Sequence, residues 1–398
     1  MIGLDAGPRR GPVASLLDAI PDPAVLVSPN HRVLEVNEGF RRIFCGERDV
    51  KGRHCYEVCH GRSRPCELAG DACPLEECLE TGRAVRAMHV HGSLEGELHT
   101  EMSVRPVTDG SGAPIALLEI QRPFRVASAR PSPYRLVGRS AIFNRALLEL
   151  ARLGTTPHPV LVSGESGTGK ELFARALHDV SSRSSGPFVP VDAAALQDWR
   201  FERDFFGHDE GHQPAGFESS EGLVGAARGG SLFLRRVEDL PEVAQIGLLR
   251  LLETGRWRPE GSSREHRADV RLICSTSADL EERASQGRFH RELLLRLGSF
   301  VLEVPPLRDR LDDLPLLIEC YLAQVRHPPA GRRVSEPLLE VLRAYPFPGN
   351  LRELATVIER AAIEAQGQVL RVEHLPESIR WPAEPELSFR GPVVSLRE

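Results

Sequence analysis

The sequence predicts an α/β chain of two dissimilar units. A small N-terminal α+β domain comes first, followed by a parallel-sheet, phosphate-binding domain that ends in a helical subdomain. Three observations carry this. Residues 24–120 run as short alternating strands broken by turn residues. Residues 134–310 alternate apolar strands with amphipathic helices. GESGTGK at 164–170 sits between a strand and a helix.

Composition agrees. A chain of 398 residues is long enough for two or three domains, each with its own core. Hydrophobic residues are 41% and charged residues 27%, ordinary for a globular protein. A formal net charge of −6 gives no overall basic surface of the kind nucleic acid favours. No apolar run approaches the roughly 18 residues of a membrane span, so no membrane partner is expected. The start, MIGLDAGPRRGPV, has no apolar core, so no secretory signal is expected and the cytoplasm is the expected compartment. Lysine and arginine total 50, yet Lys51 and Lys170 are the only lysines. A coding bias towards arginine explains the count, but it directs attention to Lys170.

The elements follow in order. Residues 1–12 are rich in Gly, Pro and Arg and read as a disordered tail. PAVLVS and HRVLEV flank a turn at Pro29-Asn30. Residues 87–106 alternate over two runs, and ALLEIQRP follows a Gly-rich turn, so 13–125 form a small antiparallel sheet with short helices. VASARPSP, 126–133, reads as a linker. From Tyr134, ALLELARLG is helical and HPVLVSG is a buried strand. KELFARALHDVSSR is an amphipathic helix, and PFVPVDA, SLFL and DVRLICSTS are strands, which gives a parallel sheet within 134–310. Over 311–382 the strands stop and three helical periods follow: DLPLLIECYLAQV, EPLLEVLRAY and NLRELATVIERAAIEA. Residues 383–398 read as a Pro-rich tail.

GESGTGK matches the phosphate-loop pattern in the context it needs. Gly164, Gly167 and Gly169 let backbone N–H groups close on phosphate oxygens. Glu165, Ser166 and Thr168 complete the loop. The following helix adds a favourable dipole, and Lys170 places its ammonium on the β/γ-phosphates. Glu171 stands where such loops commonly carry Ser or Thr.

These residues lie within a wider match. LVGRS (136–140), GESGTGKELFARALH (164–178), FFGH (205–208), GGSLFL (229–234), DVRLICSTSADL (269–280), GRFHRELLLRL (287–297), PPLRDR (305–310) and PFPGNLREL (346–354) occur in order. Residues 136–382 thereby resemble the AAA+ ATPase domain of sigma-54-dependent transcriptional activators, the bacterial enhancer-binding proteins, in which Glu171 after the lysine is normal. Residues 13–125 resemble a PAS sensor domain. The resemblance implies ATP as cofactor, held by residues 164–171 and by Arg352 in the sensor II motif. It also implies self-assembly and a sigma-54 RNA polymerase partner.

Several positions depart from the family pattern. The family implies an Asp-Glu pair after the apolar strand, to hold Mg²⁺ and polarise the attacking water. Here SLFL is followed by Arg235-Arg236, with Glu238 and Asp239 two or three positions late and expected at the start of the next helix. A unit charge pair at 4 Å is worth about 4 kcal/mol at an effective dielectric of 20, and here the partner's sign is reversed. Arginine also cannot act as a general base. The position of sensor I aligns with Ser277, and the Asn that partners the catalytic Glu aligns with Asp192. Of two arginines that act across the subunit interface, one aligns with His290 and the other is kept as Arg296. The sigma-contacting loop, GAFTGA in the family, aligns with Gly211-His212-Gln213-Pro214-Ala215-Gly216, which lacks the contact Phe and Thr. No helix-turn-helix pair follows the lid, so direct DNA binding is not expected.

The N-terminal unit carries a second constellation. Six of eight cysteines lie between Cys45 and Cys78. Clustering of this kind points to metal or redox chemistry in a reducing compartment. The set Cys55, His60, Cys66 and Cys73 offers one ligand from each short segment of the loop, suited to Zn²⁺ or an iron–sulfur cluster. A thiol redox switch and reduced, unligated cysteines stay open beside it. His89 and His91 share a strand face, and together with His99 they read as satisfied or solvated histidines.

The expectation is a regulator whose PAS unit controls an AAA+ domain that binds ATP and hydrolyses it poorly, assembling with itself or with intact relatives. An active ATPase using Glu238 or Asp239 is one alternative. A nucleotide-free interaction module, or a redox or metal sensor, is the other.

Overall fold

The computed structural model describes residues 12–69, 72–132, 134–208, 221–325 and 334–380. The expected tails at 1–12 and 383–398 lie outside these residues except for Pro12, and the segment Gly211–Gly216 lies wholly outside them.

The N-terminal unit begins with α1 (Pro12–Asp18), then β1 (Ala24–Val27) and β2 (Val33–Val36). Helices α2 (Cys55–His60) and α3 (Pro74–Thr81) follow. The long strands β3 (Val85–Ser93), β4 (Gly96–Thr108) and β5 (Pro114–Pro123) close an antiparallel five-stranded sheet in the order β2-β1-β5-β4-β3. Its core is Val25, Phe40, Phe44 and Leu117, packed against Cys45, Cys55, Cys59, Cys66, Cys73 and Cys78, all buried and none in a disulfide.

The linker at 126–133 carries a short strand within its described residues. β6 (Ala127–Ser128) pairs in parallel with β7 (Leu136–Val137), and Ala127 and Ala129 are buried. Its small side chains give composition no strand pattern to show.

The second unit follows the expected alternation. Helix α4 (Ala141–Gly154), capped by Ser140, leads into β8 (Val160–Ser163) and α5 (Lys170–Asp179). β9 (Phe188–Asp192), the short α6 (Phe201–Phe206), β10 (Ser231–Arg235) and α7 (Glu242–Thr254) come next. A hairpin of β11 (Arg256–Trp257) and β12 (His266–Arg267), β13 (Arg271–Thr276), α8 (Arg291–Leu297) and β14 (Val301–Glu303) complete it. The sheet is parallel in the order β14-β8-β13-β10-β9. Its central strands are buried on both faces, as parallel sheets require. Three-residue β14 is too short for periodicity to reveal.

The lid holds α9 (Leu314–Leu322), α10 (Glu336–Ala344) and α11 (Asn350–Glu364), packed around Leu317, Leu342, Phe347 and Ile358. Among the described residues no helix is long and apolar enough to cross a membrane.

One buried carboxylate joins these parts. Asp313, fully buried at the start of the lid, accepts from Arg139 N–H (2.5 Å), Ser140 N–H (2.8 Å) and Ser140 Oγ (2.9 Å). Removing one partner of a buried charged network costs about 3–5 kcal/mol. Asp313→Ala is therefore expected to lower the urea stability of the second unit by about that much, read as a fall in its unfolding midpoint; a change under about 1 kcal/mol would show that water replaces the carboxylate.

Candidate functional site

The residues GESGTGK leave β8 and wrap into the N-terminus of α5. Gly167 holds φ +79°, and a Cβ there would stand 2.2 Å from the Gly349 carbonyl oxygen of the lid. Glycine is thus required twice over, by backbone conformation and by the lid's approach. Gly169 (φ +97°) caps α5 in the left-handed region and turns the first helical N–H groups toward the loop. Thr168, buried, closes the loop by donating to the Glu165 carbonyl at 2.9 Å.

Lys170 Nζ donates to the Gly164 and Glu165 carbonyls (2.7 and 2.8 Å) and to Ser277 Oγ (2.8 Å). Burial pulls this ammonium below its ordinary pKa, while the Glu238 carboxylate works against the shift. Arg352 reaches Ser166 Oγ at 3.2 Å, and the Leu351 N–H donates to the Gly167 carbonyl at 3.0 Å. A cleft of about 550 Å³ opens over these groups, lined also by Glu171, Asp192, Arg235 and Arg236. Residues 164–171 and Arg352 are thus brought together.

The end of β10 is where charge is rearranged. Arg235 pairs with Glu171 at 3.3 Å. Arg236, in the left-handed region (φ +56°), pairs with Asp192 at 2.8 Å and with Asp239 at 3.5 Å. Burial alone would raise the Asp192 carboxyl. Hydrogen bonds from Arg236 and from the Ala194 amide outweigh it and hold it below its usual range. Glu238 stands in the first helical turn after β10, as its position in the sequence predicts. It lies in a single turn, Val237–Asp239, that folds back on the sheet. Its Oε1 accepts from the Ser277 N–H at 2.9 Å, and its Oε2 is buried without a hydrogen-bond partner. The turn before α7 reverses the chain and so points Glu238 at β13, which linear spacing could not show.

Arg296 is exposed on α8, pairs with Glu253 at 3.7 Å and does not line the cleft of its own chain. The lid grips the loop through contacts far apart in sequence. Arg308 takes Glu165 in a two-pronged pair (2.5 and 2.8 Å), and Asn350 Nδ2 donates to Glu165 Oε2 at 3.0 Å. Both lie in recognised motifs, PPLRDR and PFPGNLREL, but only the folded lid assigns them a partner.

The sensor unit divides the proposed metal set. Cys55, Cys66 and Cys73 gather about His31, not His60. Cys55 Sγ lies 3.9 Å from His31 Nδ1, and Glu76 holds the other ring nitrogen at 2.5 Å. The Cys55 and Cys73 thiols, with Glu76, push His31 up to about 11. A hydrogen bond with Cys66 lowers Cys73, to about 4. His60 is corrected out of this set because it ends α2, where the helix crosses β3, and it turns toward His89 and His91. His91 and His99 are fully buried rather than solvated. Burial, then His60 and His89, press His91 well below its ordinary pKa.

Comparison with known proteins places this geometry. Residues 136–303 match the Sigma-54 interaction domain, 308–388 the AAA+ ATPase lid domain, and 17–124 the PAS fold. The response regulator PilR of Pseudomonas aeruginosa is 41% identical over 275 residues, covering 68% of this chain and 60% of its own. The DNA-binding transcriptional regulator NtrC of Rhizobium meliloti is 37% identical over 261 residues, covering 65% and 54%. The chain therefore spans between about half and three-fifths of these relatives. The crystal structure of NtrX from Brucella abortus in complex with ATP is similar at TM-score 0.56 and 34% identity, over 61% of this chain and 57% of that one. The same protein in complex with ADP gives 0.57 and 33%, over 62% and 56%.

The Glu165 clamp carries a pH dependence. Arg308, then Asn350, hold its carboxyl at about 2 against an ordinary 4.5. A depressed carboxyl stabilises the fold above its ordinary value and loses that contribution as pH falls through the folded one. Glu165→Gln should lower the thermal midpoint most above pH 4.5, with the deficit shrinking toward pH 2; a deficit constant with pH would exclude the linkage.

Proposed function

With a Sigma-54 interaction domain, an AAA+ lid and a PAS fold, the chain belongs to the sigma-54 activator class, and we propose that it is a cytoplasmic transcriptional regulator that binds ATP while hydrolysing it poorly or not at all. The observation that carries this is Arg235-Arg236 at the end of β10, on the same cleft as Lys170 and Arg352.

The physics separates binding from turnover. A triphosphate needs backbone N–H donors and positive charge, and the loop, Lys170, Arg352 and the two β10 arginines supply both. The residues fit the phosphates. They do not fit a magnesium ion, which takes carboxylate oxygens and water, because guanidinium groups hold the place of the acidic pair. Arg236 also cannot accept a proton from an attacking water. Guanidinium contacts can neutralise the phosphates directly, so binding becomes independent of the metal.

The output would pass through other subunits. Arg296, exposed and outside its own chain's cleft, would be the residue that reaches a neighbouring copy's cleft, in a self-assembly or in a mixed assembly with a related activator acting on sigma-54 RNA polymerase. A second reading rests on Glu238, whose unpartnered Oε2 lies beside the lysine's hydrogen-bonded neighbour Ser277. It would make Glu238 the surviving acid of a working ATPase.

Titration of the full chain with a fluorescent ATP analogue tests the first reading. Saturable binding should change less than about threefold on chelating Mg²⁺, and Lys170→Ala should weaken it at least about 100-fold, or about 2.7 kcal/mol. Phosphate release should match the Lys170→Ala background. Release well above it, abolished by Glu238→Gln, would establish the second reading instead; no binding in either buffer would overturn both.

Charge reversal supplies a further check. Arg235→Asp with Arg236→Glu and Asp192→Asn should make analogue binding Mg²⁺-dependent and raise phosphate release. An unchanged metal dependence would show that the arginines do not govern it.

A further inference from the structure

Three imidazoles meet on the sensor sheet, away from the nucleotide cleft. His89 and His91 lie two apart on β3 and so face the same way. His60 ends α2 above them. The three offer ring nitrogens within 4.8 Å of one another. Ring centroids are 4.5 Å apart for His60–His91, 5.8 Å for His60–His89 and 6.4 Å for His89–His91.

A neutral imidazole donates from one nitrogen and accepts at the other, so the outer contacts decide what the inner nitrogens can do. Gln121 Nε2 donates to Glu119 Oε1 at 2.5 Å and lies 3.6 Å from Cys59 Sγ. This turns Gln121 Oε1 toward His91 Nδ1, 3.2 Å away. That oxygen can only accept, so Nδ1 carries the proton and Nε2 is a bare lone pair. Nε2 is buried with no hydrogen-bond partner, and His91 is 0% exposed. His60 Nδ1 lies 3.3 Å from the Val90 carbonyl, which also only accepts, so that nitrogen carries the proton.

A buried lone pair left unmatched costs about 1–3 kcal/mol. A histidine whose outer N–H is fixed by an amide or carbonyl oxygen, with its inner nitrogen bare, is oriented as a metal ligand is. We propose that His60, His89 and His91 bind one divalent ion of the zinc class through imidazole nitrogen, with Gln121 as a positioning residue. Three nitrogens suit zinc, cobalt or nickel, whereas calcium and magnesium require oxygen. Three protein ligands leave a tetrahedral ion one open position, which a small anion or water can take. The site is separate from the thiols around His31 and does not depend on the nucleotide reading.

The test uses the full chain, stripped with a chelator and titrated with Zn²⁺ against a chromophoric competitor and with Co²⁺ by absorption. Binding of Co²⁺ should give tetrahedral ligand-field bands without a sulfur-to-cobalt charge-transfer band. His89→Ala and His60→Gln should each weaken Zn²⁺ at least about 100-fold. Gln121→Leu should weaken it about 10- to 100-fold while keeping the stoichiometry. Serine at Cys55, Cys66 and Cys73 should leave one equivalent bound, with an unchanged circular dichroism spectrum and a cooperative thermal transition confirming that each variant is folded. Failure to bind Zn²⁺, or binding that survives both histidine changes and shows the sulfur band, would overturn the proposal.

Discussion

The fold turns on one buried carboxylate. Asp313 belongs to the lid, yet it accepts from the backbone of residues 139 and 140, which open the helix beneath the sensor. Its neighbour Arg310 lies over the Phe143 ring at 5.1 Å. Arg139 in turn pairs with Glu97 of β4 at 2.6 Å and donates to the Ala129 carbonyl. A carboxylate with no access to water tolerates only a narrow range of donor positions. The lid, the start of α4 and the inter-unit strand are therefore positioned against one another, and the phosphate loop inherits that order through Arg308 and Asn350, on either side of it in the lid.

Much of this was legible in the sequence where local chemistry decides the outcome. The parallel strands announce themselves as continuous apolar runs, and the phosphate loop by its glycines and lysine. What escaped depends on contacts distant in sequence. β6 has too little side chain to show a pattern. Glu238 looks displaced by linear count, but a tight turn returns it to β13. His60 sits five residues from Cys55, yet one helical turn and a half separates their directions, so one joins the histidines and the other His31. Glu165 gave no hint of its lid partners, more than 140 positions away.

The acidic and basic residues around the cleft are better understood as a set than singly. Taken alone, Arg236 and Asp192 are each a loss. Side by side they are an ion pair at 2.8 Å, and Arg235 with Glu171 is another. Both pairs are partly exposed, so each contributes little to stability. Their significance is electrostatic and local: the arginines are accommodated without stranding a charge, and the cleft keeps a net positive lining for an anionic ligand.

Strand β3 packs the N-terminal sheet against the core of the second unit. Its alternation puts His89 and His91 on the inner face, while Met88 packs on the outer face into the same core as Phe143, Leu147 and Phe173. His99, opposite Val90 on β4, lies with its ring centroid 6.1 Å from that of Phe143. Phe143 contacts Phe173 of α5, the helix that begins at Lys170. A close-packed interior transmits displacement because it has no voids to absorb it. The inner face of β3 and the helix that begins at Lys170 are thus joined through side chains in contact.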